Sequence, residues 1–208
     1  FKETEKFLES LDLQTYRNFE HLIIDGKSSD KTIEIINKNS NKISYQESKI
    51  DNGLYDAMNK GIKNSTGDII GILNSDDFYY ANALSTVNHY FTKYPNIDFL
   101  FGSVQKYKLM HGFNPKKIKW TFGFYTSHSV GFFIRKNSQS KLGYYDTQYK
   151  YSADYDLFYR MIVKKKMIGM STKKNEIMGK FRQGGISSKI KYLDFLKENN
   201  KIRINNGQ

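Results

Sequence analysis

Two short apolar runs that end in carboxylates constrain this chain more than any other feature. Glu20 to Asp25 closes on an acid, and Asp68 to Leu73 runs into Asn74-Ser75-Asp76-Asp77. Runs of this length bounded by turn residues read as buried strands. Amphipathic stretches alternate with them. Residues 2–12 place Phe7, Leu8 and Leu11 on one helical face, and Asp30 is placed to cap a helix carrying Ile33 and Ile36. Residues 42–46 alternate as a strand, 54–63 read as a helix, 81–94 as a helix stopped by Pro95, and 97–104 as a strand. Strand and helix in alternation predict an α/β, Rossmann-like three-layer fold with a mostly parallel central sheet. Such sheets bind ligands beyond the carboxyl ends of their strands. Asp25, Asp76 and Asp77 all fall at that edge.

After about residue 105 the pattern is less regular. Residues 131–135 read as a strand and 153–165 as a helix with Leu157, Met161 and Ile162 inward. Residues 189–204 read as a strongly basic amphipathic helix. No linker or repeat interrupts the 208 residues, so one domain is expected over 1–208.

The charge balance narrows the partners. There are 33 Lys+Arg against 21 Asp+Glu, a formal net charge of +12, with clusters at 116–119, 164–166, 173–174 and through 189–203. Solvated faces, an anionic membrane surface and a phosphate-rich ligand are the competing readings. No zinc-finger or aromatic RNA-binding motif interleaves with these charges, so nucleic acid is not an expected partner. Cysteine is absent, which removes disulfides, thiolate metal sites and a cysteine nucleophile, and suits a reducing, cytoplasmic setting. No apolar run approaches the roughly 20 residues of a membrane-spanning helix.

Several side chains are chemically equipped. Adjacent carboxylates at a strand end, Asp76 and Asp77, suit a hard divalent cation shared with phosphate. The same residues also suit an Asx turn or a helix cap. Tyr55, Asn59 and Lys60 share a helical face by spacing, with Lys60 as a point charge for phosphate and the Tyr55 ring near a base. Asp154 and Asp156 open a helix, where free N–H groups favour a carboxylate and a cap role explains one of them. His128 and Arg182 are polar candidates beside apolar strand and loop material.

In order and spacing these segments resemble the GT-A, family 2 glycosyltransferases. The resemblance rests on Gln14 to Glu20 with Ile23 to Thr32, on Asp51 to Gly61, and on the Leu73 to Asp77 variant of the family's acidic motif. It continues through His128 to Arg135, Tyr151 to Asp156, and Phe181 to Ser187. It implies a metal-dependent, inverting enzyme with Mn²⁺ or Mg²⁺, moving a sugar from a nucleotide-sugar donor, UDP-sugar favoured, to a hydroxyl. The acceptor would be a glycan or a lipid-linked sugar in surface polysaccharide synthesis.

Carried over by position, Asp25, Asp51, Tyr55, Asn59, Lys60 and Asp76 would serve the donor. Asp77, with Asp76, would hold the metal. Asp154 would be the general base, and His128, Asp156 and Arg182 would lie toward the acceptor. Residues 1–104 would form the nucleotide-sugar half and 105–208 the acceptor half. Gly26 stands where many relatives have a second acid. The opening strand of such enzymes would precede Phe1. The basic helix suggests peripheral contact with the cytoplasmic membrane face, and homo-oligomerisation is an open possibility. The rival readings are a nucleotidyltransferase and a non-catalytic nucleotide-sugar-binding module.

Overall fold

The computed structural model describes residues 2–119, 125–182 and 191–208. The first half runs α1 (Lys2–Asp12), β1 (Leu22–Asp25), α2 (Thr32–Lys38), β2 (Tyr45–Ser48), α3 (Leu54–Asn64), β3 (Ile69–Gly71), β4 (Phe78–Tyr79) and α4 (Ala83–Lys93). The second runs β5 (Phe99–Phe101), β6 (Ser103–Gln105), β7 (Leu109–Met110), β8 (Phe132–Arg135), α5 (Lys136–Leu142), α6 (Ala153–Tyr159), β9 (Gly169–Ser171), β10 (Ile177–Lys180) and α7 (Tyr192–Asn205).

The α/β class and the layering hold. In the sheet ordered β3-β8-β5-β9, Phe99, Phe101, Phe132 and Ile134 face α3 and α6. Leu100 and Phe133 point the other way, into a cluster with α1 and α4. Successive side chains of a strand project to opposite faces, so these two short strands seed both layers of core. The first layer is dominated by rings, with Phe132 and Phe158 centroids 4.8 Å apart and Phe101 and Phe132 5.1 Å apart.

The sheets are mixed where a mostly parallel one was expected. β8 is antiparallel to both β3 and β5, while β9 is parallel to β5. β1 pairs with β2 in parallel, with Asp25 opposite Ser48. The remaining sheet has the order β4-β10-β6-β7. A parallel neighbour needs a crossover, usually helical; β8 instead enters through the irregular segment after β7 and can lie antiparallel. β3 pairs with β8 and β4 with β10, so segments on either side of residue 105 share sheets.

The single strand expected over 97–104 is broken at Gly102 into β5 and β6, which belong to different sheets. A Cβ at Gly102 would lie 2.2 Å from Met178 Cγ, so a side chain there would have to displace the Met178 side chain of β10. The helix expected over 153–165 is α6 followed by a π-helical turn, Arg160–Lys164. α7 carries Lys197, Lys201 and Arg203 but also Asp194 and Glu198, so its described length is less basic than expected. Ile202 is buried, and Asn206 just beyond the helix donates to Asp156, which docks this element onto α6.

Among the described residues β1 pairs only with β2, and β3 only with β8. A large cleft lies between β1 and β3. Leu22 and Ile24 line it on one side, Ile69 to Leu73 on the other, and α3 contributes Met58 and Ile62. The cleft continues to the carboxyl ends of the strands, where the polar residues gather.

Candidate active site

Two sheet edges build this polar end. β3 leaves its sheet beside the entry of β8: Val130 N–H donates to Ile72 C=O at 3.1 Å, and Asn74 N–H to Ser129 Oγ at 3.0 Å. That sets Asn74 to Asp77 against His128 to Val130. In the other sheet β10 pairs antiparallel with β4 and parallel with β6. The start of β4, the end of β10 and the end of β6 therefore meet, bringing Asp77, Arg182 and Lys106 to one place.

Asp154 occupies the first turn of α6 and is 7 % exposed. Its Oδ2 accepts from Tyr125 Oη at 2.6 Å and lies 3.3 Å from His128 Nδ1; its Oδ1 accepts from Tyr55 Oη at 3.1 Å. Burial pushes this carboxyl up, but the His128 contact and the two phenol hydroxyls outweigh it and hold it below the usual carboxylate range. The buried phenols of Tyr55 and Tyr125 are themselves raised, by burial first and by the Asp154 charge second, so they remain donors. Asp154 thus sits in the cleft wall as an ionised carboxylate held in a fixed orientation.

Asp77 is 2 % exposed, with Oδ2 accepting from Ser129 Oγ at 2.6 Å and Oδ1 from Arg182 N–H at 2.9 Å. Burial pushes its carboxyl up to about 6, against those two hydrogen bonds. It ties the ends of β10 and β8 together beneath the cleft. Asp76 lines the cleft, without a hydrogen-bond or ion-pair partner among the described residues. Of the two acids expected to share a metal, Asp76 is open to the cleft and Asp77 is an internal anchor. Among the described residues no cluster of three His, Cys, Asp or Glu could enclose a cation by itself. Mg²⁺ and Mn²⁺ commonly take one or two carboxylates and complete their shell on substrate phosphates, so a single open Asp76 fits that mode.

Three of the expected ligand residues are engaged within the fold. The Tyr55 ring stacks on Tyr145 at 5.4 Å, and its hydroxyl donates to Asp154. Asn59 is a structural clamp: its Nδ2 donates to Tyr145 C=O at 2.8 Å and its Oδ1 accepts Tyr145 N–H at 2.9 Å. Asp156, 3 % exposed, accepts from Arg160 Nε at 2.8 Å and Asn206 Nδ2 at 3.0 Å, so it fastens α6 and α7 rather than facing an acceptor. Lys60 pairs with Asp56 at 3.4 Å.

Asp25 stands at the end of β1 as expected, but it accepts from Ser28 N–H, Ser28 Oγ and Ser48 Oγ at 2.5–3.0 Å. Burial raises its carboxyl and these donors lower it further than burial raises it. Asp51 accepts Gly53 N–H at 2.9 Å and lies against Gly26, where a Cβ would come 2.6 Å from its Oδ2. An acid at position 26 would therefore face the Asp51 carboxylate.

His128 and Arg182 are gathered at the site, the first on Asp154 and the second by its backbone on Asp77, while the Arg182 side chain pairs with Glu3. The glycine loop from Gln183 to Ser187 lies outside the described residues. Tyr125, Ser129 and Lys106 belong to the site without having been singled out by pattern. Lys106 follows directly on a strand end, the one local signal that could have found it. Val130, between these groups, has φ 66°, a left-handed conformation that is a genuine outlier for a β-branched residue. Such strain persists only where the surroundings over-determine it, and here it turns His128 and Ser129 toward two different carboxylates.

Residues 1–163 match the family model for glycosyl transferase family 2. The chain belongs to glycosyl transferase family 2. That membership makes it a glycosyltransferase by class. A PGL/p-HBAD biosynthesis glycosyltransferase of Mycobacterium tuberculosis is 27 % identical over 203 residues, covering 91 % of this chain and 76 % of that protein. An uncharacterized glycosyltransferase of Rickettsia typhi is 29 % identical over 163 residues, 72 % of this chain and 51 % of that one.

Solved structures agree on a GT-A fold. S. aureus TarS residues 1–349, crystallised with UDP-GlcNAc, superposes with a TM-score of 0.74 at 17 % identity, covering 98 % of this chain and 62 % of that one. A mannosyltransferase from Pyrobaculum calidifontis, in complex with GDP-Man and Mn²⁺, gives a TM-score of 0.71 at 14 % identity, covering 100 % and 61 %. The family 2 chain spans only 37 % of the longer TarS structure.

Proposed function

We propose that this chain transfers a sugar, with inversion, from a nucleotide-sugar donor to a hydroxyl of a glycan or lipid-linked acceptor. The observation that carries the reading is Asp154, a buried carboxylate kept ionised by three donors at the wall of a cleft that Asp76 also lines. A single oriented base supports one direct displacement. The acceptor O–H proton goes to Asp154 as the acceptor oxygen attacks the anomeric carbon. The anomeric C–O bond breaks, and its electron pair leaves with the diphosphate. Tyr55, Tyr125 and His128 hold the base at a fixed angle, and the cleft supplies proximity.

A divalent cation, when bound, would neutralise charge on the departing diphosphate, and Asp76 would hold it together with the phosphate oxygens. Asp25 and Asp51, at the ends of β1 and of the loop before α3, would flank the nucleoside. A UDP-sugar is the favoured donor on the family's weight, supported by the UDP-GlcNAc complex of TarS. Surface-glycan synthesis is supported by the biosynthetic role in the mycobacterial relative's name. Among the described residues no helix is long and apolar enough to cross a membrane. Contact with the cytoplasmic face of a membrane, for a lipid-linked acceptor, belongs to this proposal. The family match leaves the nucleotidyltransferase reading without support.

The test is calorimetric titration of UDP, GDP and dTDP with and without Mn²⁺, followed by product formation from the matching nucleotide-sugar by wild type and Asp154→Asn. One nucleoside diphosphate should bind with help from Mn²⁺, and Asp154→Asn should bind it equally while losing turnover at least about 10³-fold. Near-normal turnover in that variant refutes the base. Binding without turnover in wild type would make the chain a binding module.

A further inference from the structure

We infer that Lys106 is the protein's own cationic holder of the donor's diphosphate, acting from the carboxyl end of β6. The inference rests on the nucleotide-sugar reading and adds a phosphate-binding residue to it. Backbone pairing sets its position. Lys180 of β10 lies opposite Gln105 of β6, and Phe181 N–H donates to Gln105 C=O at 2.9 Å. Lys106 and Phe181 are thus neighbours at one sheet edge, and the Lys106 ammonium lies 4.3 Å from the Phe181 ring centroid. The next residue, Arg182, gives its backbone N–H to Asp77. A lysine head is consequently fixed over an aromatic face beside the acidic turn, and it lines the same cleft as Asp76 and Asp154.

The charge on that head is poorly served by the protein. Lys106 is half-buried, and among the described residues its ammonium has no ion-pair or hydrogen-bond partner. Burial pulls its pKa down, with the more distant Asp77 and Asp154 charges working the other way. A cation drawn partly out of water without a partner is destabilising unless an anion arrives to meet it. The other described cations toward this end are differently placed: Arg182 pairs with Glu3, Lys60 with Asp56, and Lys150 is exposed.

A diphosphate near Asp76 and Asp154 meets repulsion from both carboxylates, so it needs a cation beside it, and lysine suits it as a point charge. Charge grows on the leaving phosphate as the anomeric C–O bond breaks, so an ammonium fixed there stabilises the transition state more than the bound donor.

The experiment compares wild type, Lys106→Met and Lys106→Arg. Methionine keeps an unbranched side chain over Phe181 and removes the charge; arginine keeps the charge. Calorimetry with UDP, UMP, GDP and GMP is run in EDTA and in Mn²⁺, with melting temperatures recorded. Lys106→Met should weaken the diphosphate that wild type binds by about 10-fold or more in EDTA, and less in Mn²⁺. The diphosphate-to-monophosphate affinity ratio should shrink with it, while Lys106→Arg stays within about 3-fold of wild type. Unchanged affinity and ratio in Lys106→Met overturn this inference alone. Equal weakening of both nucleotides with a lowered melting temperature also overturns it, by showing a scaffold role. Wild type that binds neither diphosphate overturns the donor reading and this inference together.

Discussion

Replacing Tyr125 by Phe should move the acid limb of the rate profile without removing the base. The substitution deletes one hydroxyl and leaves the ring that packs on Phe158 at 4.9 Å. That hydroxyl donates to Asp154 Oδ2 at 2.6 Å, the range of a charge-assisted O–H···O⁻ bond. Hydrogen bonds to charged groups contribute about 1.5–3 kcal/mol. Each pKa unit corresponds to about 1.4 kcal/mol, so the lost bond should raise the Asp154 pKa by roughly 1–2 units.

The sign follows from the direction of the native shift. Asp154 is held below the usual carboxylate range in the fold, so its ionised form and the stability tied to it persist above the unfolded value and are lost as pH falls through the folded one. Raising the folded pKa brings that loss to higher pH. The acid limb of kcat should therefore rise by about 1–2 units. Tyr55→Phe should shift it less, because its bond is longer at 3.1 Å, and the double variant should shift it most. The assay is nucleoside diphosphate release between about pH 4 and 9, with folding checked by circular dichroism at each pH. A Tyr125→Phe profile that overlays wild type, from a folded protein, would refute the claim that the phenols set the base.

Two further predictions concern the scaffold. Asn59→Ala strips both partners from the Tyr145 backbone and should destabilise the chain by about 2–4 kcal/mol in urea unfolding, with diphosphate affinity preserved in the folded fraction; a loss of affinity without loss of stability would restore Asn59 to the donor site. Burial, against a small opposing effect of Asp12, pushes His21 down to about 4, and its ring packs on Phe7 of α1 at 5.4 Å. Stability should then fall as pH drops from about 6.5 toward 4, and His21→Phe should flatten that slope in urea midpoints; an unchanged slope would clear His21 of the role.

Local pattern carried much of this protein. The strands closing on Asp25 and Asp76–Asp77, the helices after Gly53 and Ser152, and the position of Asp154 at a helix start all follow from short-range periodicity and turn chemistry, which act within a few residues. The basic character expected of the last helix is weaker in its described part, because Asp194 and Glu198 offset most of the charge of Lys197, Lys201 and Arg203 within α7. The break at Gly102 was also invisible locally, since a continuous apolar run reads the same whether it feeds one sheet or two.

Orientation and partnership belong to the folded molecule. Asp76 and Asp77 are adjacent and chemically identical, yet one opens on the cleft and the other is enclosed by Ser129 and the Arg182 backbone, groups 52 and 105 residues away. Tyr55 meets Asp154 across 99 residues, and Asn59 meets Tyr145 across 86. Helical spacing correctly put Tyr55 and Asn59 on one face, but what that face meets is set by the docking of the 144–154 segment. Residue type and short-range order thus specified the family and the fold class. The division of labour among the polar residues, with Lys106 lacking an ion-pair or hydrogen-bond partner among the described residues and Asp77 internal, came from strand pairing between distant segments, because hydrogen bonds and burial depend on neighbours that linear order does not reveal.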